Sequence, residues 1–565
     1  MHRGSALLAL PLAGVLALTA CGGSSGGNKP SSQKTPASTG LPPININAHP
    51  ASDLKQGGTV IWAMDQFGPQ WNVNQINGNE TSMADTMGSL MPEPTITNAK
   101  GDVSFDPNYW SSVKVVSTSP QKVEYKLNPS AKWSNGTPIT VKDFQAQWKA
   151  LNGSNSKFDP ASTSGYDQIA SVDQGTDQFD VLVTFKSVYA EWQPLFNPLY
   201  PASTNSTPKH FDNDYLSKIP VTAGPFKFAG FDKSAQTATV VPDPNWWGSN
   251  KPHLDKIVFK TLESTAANQA FANGEINYDS RITPDAQDYK LAASNPNGKV
   301  LLATGPDQRQ FTFHNGGVLA DVNVRRAIAM GTNRLAIAKS ALTGLPIGTP
   351  TTLDNHIFVQ GQTGYQNNSG TVGKYDAAAA NKALDADGWA KGSNGYRSKG
   401  GKELDVRFTI PAGVASSKQA GELMQSMMQA IGVKLNIVTV PSQDFFDKYI
   451  IPGNFDITIF SWIGTPFPAG GNRDIYICKK GSAGQSNFTG MCDPAIDQDF
   501  TDALTSLDHN VYVQKMEDAD THIWNEVHSL MLFQRPQLNG VTNGIANLGS
   551  FGLATVDYTA IGYVK

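Results

Sequence analysis

Apolar and polar positions along this chain switch repeatedly between a period of two and a period near 3.6, which predicts alternating strands and amphipathic helices. Residues 58–63 are β-branched and aromatic, lie between glycine and Asp65, and predict a strand. Residues 123–127, Asp180–Phe185 and Lys256–Thr261 read the same way, and 266–272 after the last of these reads as a helix. Val141–Leu151 has helical spacing, with Thr140 placed as N-cap and Asp143 at the third position. Val324, Ile328, Leu335 and Ala338 predict one helix over 324–340, and 375–387 predicts another, ended by Gly388. Residues 417–430 carry Leu423, Met424, Met427 and Met428 at helical spacing, which favours core packing over a methionine-lined pocket. Gly432 ends that helix, 433–440 alternates as a strand, and the apolar strand 456–462 runs into a Gly- and Pro-rich loop over 463–472. No internal repeat is present. Mixed strands and helices over most of the chain predict an α/β protein of two or more lobes.

Composition narrows the function. The chain has 565 residues, more than one hydrophobic core usually serves. Its 44 basic and 48 acidic side chains leave a net charge of −4, without the basic excess of a nucleic-acid binder. Three cysteines exclude a disulfide-dense scaffold and a multi-cysteine metal centre.

The N-terminus sets the compartment. Arg3 precedes an apolar run over 6–20 that is too short to span a bilayer and ends at Leu18, Thr19, Ala20 and Cys21. A small residue before cysteine at the end of an export signal resembles the bacterial lipobox. Residues 1–20 are therefore expected to be a cleaved signal and Cys21 to be lipidated, an ordinary secretory signal being the alternative. Residues 21–56 are rich in Gly, Ser, Thr, Pro and Asn and predict a flexible tether. The expected location is the outer face of the cell membrane, the body held there by lipid. Cys478 and Cys492, outside the cytosol, predict a disulfide, with two free thiols as the alternative.

Catalytic patterns are weak. Gly22, Ser24 and Gly26 match a nucleophile elbow, but within the tether. Ser31 with Lys34 and Ser154 with Lys157 match S-x-x-K, but no K-T-G triplet follows. These are the remains of a secreted serine hydrolase or transpeptidase reading. His522 and His528 are six apart, off the zinc-protease spacing, and read as structural. Asp518 and Asp520 read as a solvated helix face. We expect no catalytic residue, no metal and no cofactor.

Several segments together resemble one family, the extracellular solute-binding proteins of the dipeptide/oligopeptide class that serve ABC importers. Trp133, Gly136, Thr137, Pro138 and Asp143 match its W-polar-[DN]-G-T-P signature. Gly224, Pro225 and Phe226, then Asn245, Trp246, Trp247 and Gly248, match two further elements. Gly274, Glu275 and Ile276, then Asp321, Val324, Arg325, Ala327 and Ile328, then Tyr375, Asp376, Gly388 and Trp389 continue the order. The ending over 557–562 is similar to an actinobacterial branch. Most of these positions read as scaffold: Trp133, Trp246 and Trp247 as packing aromatics, Gly136 and Gly248 as turn glycines with positive φ.

The resemblance implies a bilobal periplasmic-binding-protein-like fold with a ligand cleft. Its three domains would be a discontinuous domain I (57–90, 220–310 and 526–565), domain II (91–219) and domain III (311–525). It implies a monomer that carries an oligopeptide, or alternatively an oligosaccharide or other small solute, to a permease with ATPase subunits. In peptide-binding members a strand ends in G-W-x-x-D, whose aspartate holds the peptide ammonium. Here Trp462 and Gly464 fit and Thr465 replaces the aspartate. The amine could be held by another acid such as Asp474, be blocked, or be absent from the ligand. Trp462, Gly464, Thr465, Asn487, Phe488 and Trp71 are the candidate ligand-binding residues.

Overall fold

A computed structural model describes residues 40–481 and 483–565. The signal segment, Cys21 and the first part of the tether lie outside these residues.

Fourteen strands carry the architecture. In chain order they are β1 (Thr59–Met64), β2 (Trp110–Thr118), β3 (Gln121–Leu127), β4 (Ile169–Gln174), β5 (Asp180–Phe185), β6 (Phe226–Asp232) and β7 (Thr237–Pro242). They continue with β8 (Lys256–Thr261), β9 (Tyr278–Ile282), β10 (Gly298–Phe313), β11 (Asp405–Pro411), β12 (Lys434–Val440), β13 (Ile457–Ile463) and β14 (Ser529–Thr542). Ten of them form one sheet in the order β12-β11-β13-β10-β14-β9-β1-β8-β7-β6. The other four form a separate antiparallel sheet, β2-β3-β5-β4. Strand β1 lies between the parallel neighbours β8 and β9, so both its faces are covered: Val60 and Trp62 enter one core, Ala63 the other.

The first core joins β1, β7 and β8 to the four-stranded sheet and the helix Val141–Leu151. That helix starts at a capping box: Thr140 and Asp143 satisfy each other's backbone amides. The second core joins β10, β11, β13 and β14 to the helices Val322–Gly331, Ala377–Ala386 and Ala415–Ala430. Met424 and Met428 are fully buried in it, as packing residues. Strands β10 and β14 pair along almost their whole lengths, from Gly298 opposite Thr542 to Thr312 opposite Ser529. Their ladder is interrupted between Thr304 and Asp307, where Gly305 and Pro306 bulge out.

Four expectations need correction. The tether does not extend to residue 56. Asn45 and Ser550 exchange backbone hydrogen bonds (2.8 Å each), Asn47 Nδ2 donates to the Ile545 carbonyl (2.7 Å), and Leu54–Lys55 pairs with Gly562–Val564. Composition gave no sign of this, because the partner is the far end of the chain. The helix expected over 324–340 is two, Val322–Gly331 and Arg334–Ala341. Thr332 is extended, and Asn333 caps the second helix by accepting from the Ala336 amide. Gly248 has no positive φ; a Cβ there would lie 2.2 Å from the Trp246 ring, so close approach is its constraint. Gly136, at φ 86°, is the turn glycine expected. Asp520 is not solvated: it is fully buried and accepts from the His356 amide (2.8 Å), with the His356 ring at 2.7 Å.

A chain beginning at residue 56 should therefore be less stable than one beginning at residue 40. Losing this arm removes several net hydrogen bonds of about 1 kcal/mol each, and thermal unfolding should show a midpoint lower by several degrees. An unchanged midpoint would mean the arm contributes nothing.

Candidate functional site

Strand β13 delivers the central candidates. Its register sets Trp462 opposite Gln308 and Phe460 opposite Gln310 on β10. Paired residues of an antiparallel ladder share a face, so two aromatics and two amides project to one side. Trp462 is half-buried and stacks on Phe488, ring centroids 5.8 Å apart at 23°. Phe460 meets both rings edge-on, at 5.4 and 6.2 Å. Gln308 Nε2 and Gln310 Oε1 are buried with no partner among the described residues. Each is a free polar group on the same face as the aromatic pair. Sequence reasoning missed both glutamines, which stand in the polar run Asp307, Gln308, Arg309 and Gln310.

Phe488 is presented by the loop that Cys478 and Cys492 close; the expected disulfide is present. Asn487 sits inside that loop, fully buried. Its Nδ2 donates to the carbonyls of Ile477 (2.9 Å) and Met491 (2.8 Å), and its Oδ1 accepts from Thr489 Oγ1 (2.6 Å) and the Gly490 amide (3.2 Å). All its capacity goes into holding the loop, so Asn487 positions Phe488. Asp474 Oδ1 accepts from the Gly484 amide at 2.8 Å.

Gly464 donates to the carbonyl of Pro306 (2.7 Å), pinning the loop after β13 to the β10 bulge. A Cβ on Gly464 would lie 2.5 Å from Val359, so only glycine fits. Thr465 Oγ1 donates to the Phe467 carbonyl (2.9 Å) and accepts from the Phe467 amide (3.2 Å). Its hydroxyl closes a local turn. The structure places Trp71 elsewhere, fully buried against Phe67 and Phe231 in the first core. Trp71 is thus a packing residue, separate from the Trp462 cluster.

The residues that follow Thr465 approach segments distant in the sequence. Pro466, Phe467 and Pro468 help line a cavity of about 430 Å³, whose opposite wall is Lys100–Val103 and Ala190–Gln193. The expected loop over 463–472 is half helix here: Pro468–Tyr476 is helical, with Pro468 at its first position. A sequence with Gly470 and Gly471 is a poor helix former. A remote cap compensates. Glu191 accepts from the amides of Ala469 (2.9 Å) and Gly470 (2.7 Å) and from the Tyr512 hydroxyl. A carboxylate at a helix N-terminus is favoured by the free N–H groups and the dipole there. Gly470 permits it, because a Cβ would stand 2.5 Å from Glu191 Oε2. Burial pushes the Glu191 carboxyl above the usual carboxylate range, although its three donors pull it back. Ala190 also donates to the Leu504 carbonyl (2.7 Å), and Thr363 to that of Lys100 (3.0 Å). The two walls are therefore latched together. Nothing in the local sequence of Glu191 marked it for this role.

Known proteins bear out the reading of the fold. The sequence model described as "Bacterial extracellular solute-binding proteins, family 5 Middle" matches residues 105–483. The chain is 36% identical over 526 residues to proteins named oligopeptide-binding protein OppA from Mycobacterium bovis and Mycobacterium tuberculosis, covering 92% of this chain and 87% of theirs. Among solved structures, a periplasmic EDTA-binding protein, EppA, superposes with a TM-score of 0.83 at 23% identity, covering 93% of this chain and 99% of that one. Lactococcal OppA with an endogenous peptide, in the closed conformation, gives 0.68 at 20% identity, covering 90% and 100%. The architecture is the bilobal fold of these proteins.

The Glu191 latch predicts pH-dependent closure. Its carboxyl has a raised pKa when buried between the walls and an ordinary one when hydrated, so closing takes up a proton in the range between those values. Closure should strengthen as pH falls from neutral toward about 4.5. Small-angle scattering against pH should show this, and Glu191→Gln should flatten the response. A slope unchanged in the variant would remove Glu191 from closure.

Proposed function

The chain belongs to the bacterial extracellular solute-binding proteins of family 5, and from that premise we propose that it captures oligopeptides outside the cytoplasm and delivers them to an ABC permease driven by its ATPase subunits. The observation that carries the reading is the 36% identity with mycobacterial oligopeptide-binding proteins over nearly the whole described chain. These relatives are solute-binding proteins, not enzymes, and the activity is binding and release.

In this reading the peptide lies in the cleft at the end of β13. Trp462 and Phe488 hold a side chain by stacking. The free amides of Gln308 and Gln310 meet its main chain, and the loop of Gly464 and Thr465 closes against it. Main-chain recognition with adaptable side-chain space tolerates many sequences. The cleft lies between a discontinuous domain I with domain II on one side and domain III on the other. Hinge closure about β10 and β14 buries the ligand, with the closed state favoured by its extra contacts. Lipidation at Cys21 would hold the monomeric body at the membrane face. With Thr465 closing its own turn, the family's aspartate position offers no acid to a peptide ammonium.

Native mass spectrometry of the purified protein should release a heterogeneous ladder of peptide masses; hexose-spaced masses would point to an oligosaccharide receptor instead. N-acetylated and free-amine forms of one peptide should bind within about threefold of each other. Trp462→Ala should weaken both about tenfold, or ~1.4 kcal/mol. Thr465→Asp should shift preference toward the free amine; if it does not, Thr465 is not where amine recognition is decided.

A further inference from the structure

Away from the Trp462 cluster, a second cavity of about 320 Å³ opens where the segment around Glu93 and Asp106 meets the C-terminal stretch 555–559. Three buried rings, Tyr109, Trp246 and Tyr558, contribute to its lining. The polar tip of each is already used inside the protein. Tyr109 Oη donates to the Ala223 carbonyl (2.9 Å), Trp246 Nε1 to that of Asn250 (2.8 Å), and Tyr558 Oη to that of Asp85 (2.5 Å). The rings are therefore fixed and offer the cavity carbon surface rather than hydroxyl or N–H groups.

The charges in this lining are all negative. Glu93, Asp106 and Asp557 line the cavity, and no lysine, arginine or histidine does. Asp106 accepts from the Asn108 amide (2.8 Å), and Asp557 from the amide and hydroxyl of Thr559. Glu93 differs: among the described residues no hydrogen bond or ion pair reaches its partly buried carboxylate. The nearby Asp85 is compensated by Arg281 at 3.3 Å, but Glu93 has no such partner. Burial, with a smaller push from Asp85, raises the Glu93 pKa to about 7. Glu93 is thus a carboxyl in this acidic lining with no partner of its own among the described residues. Carbon walls with one unpaired carboxylate suit an organic cation, which combines ion pairing with burial of its apolar part. A metal ion fits less well, since no group of three His, Cys, Asp or Glu side chains among the described residues is arranged to hold one.

We propose that this cavity is a second binding site, for a small organic ammonium ion, with Glu93 as its counter-ion and the rings of Tyr109, Trp246 and Tyr558 as its wall. It is distinct from the peptide cleft and does not depend on that reading. Binding a cation beside Glu93 lowers the pKa of that carboxyl. Because burial holds that carboxyl well above the usual carboxylate range, binding near neutral pH releases protons.

The test is calorimetric titration of phenethylammonium into the full chain at pH 7, with the cleft saturated by peptide. The expected result is saturable binding, at least tenfold weaker for the neutral isostere phenethyl alcohol and for Glu93→Gln. The apparent enthalpy should vary with buffer ionisation enthalpy in the native protein and not in the variant. Peptide affinity should be the same in both. Absent saturation, equal affinity for the alcohol, or unchanged binding in Glu93→Gln would each overturn the proposal. The alcohol comparison uses the native protein alone, so it stands even if the variant folds poorly.

Discussion

The bulge at Gly305 and Pro306 is the constraint on which the cleft depends. Strands β10 and β14 run antiparallel through the middle of the ten-stranded sheet, and a continuous ladder would consume every backbone group between them. At the bulge the ladder lets go of two carbonyls. Gln534 Nε2 takes that of Gly305, and the Gly464 amide takes that of Pro306. Gly305 can bulge because it lacks a Cβ, which would lie 2.6 Å from the Arg535 carbonyl. The defect in one strand thus becomes the anchor of a loop on another. Because β13 is fixed to β10 in register, the same anchor sets where Trp462 and Phe460 stand relative to Gln308 and Gln310.

The latch on the far side of that loop follows a different logic. Glu191 is buried, so its ionised form is costly unless donors surround it. The helix Pro468–Tyr476 supplies two of them, and Tyr512 the third. The dependence is mutual: a glycine-rich helix needs an external cap, and a buried carboxylate needs N–H groups. Removing either leaves the other unsatisfied, which costs more than the net gain of an ordinary surface pair. Such an arrangement suits a closed state that must be well defined yet reversible.

Elements with their own periodicity were legible from the chain. Asp180–Phe185, Lys256–Thr261 and Val141–Leu151 fall at the bounds their residues predict, because pattern and caps lie within each segment. The features that escaped have a distant cause. The arm at 40–55 is ordered by residues near 550, the helix at Pro468 by Glu191, and the burial of Asp520 by His356. The break at Thr332 and Asn333 is the exception, since Asn before Arg334 was a cap signal that helical spacing on either side overrode. Trp462, Phe488 and Gly464 were named by resemblance, and the structure brings Trp462 and Phe488 together. Asn487 was placed correctly in its loop but works inward, and Trp71 belongs to the core.

Thr465 shows why the arrangement need not use a point charge to recognise a peptide. An aspartate at the end of β13 would fix one end of a ligand and so fix its frame. Here the hydroxyl is spent on Phe467, and the polar capacity facing the aromatic pair is a donor at Gln308 and an acceptor at Gln310. A neutral donor and acceptor match the alternating N–H and C=O of an extended main chain wherever along the ligand they meet it. In the proposed reading affinity rests on stacking at Trp462 and Phe488 and on burial by closure, neither of which specifies a terminus. With no acid at 465 and a free donor and acceptor on the adjoining strand, the proposed site suits the backbone of a peptide better than its end.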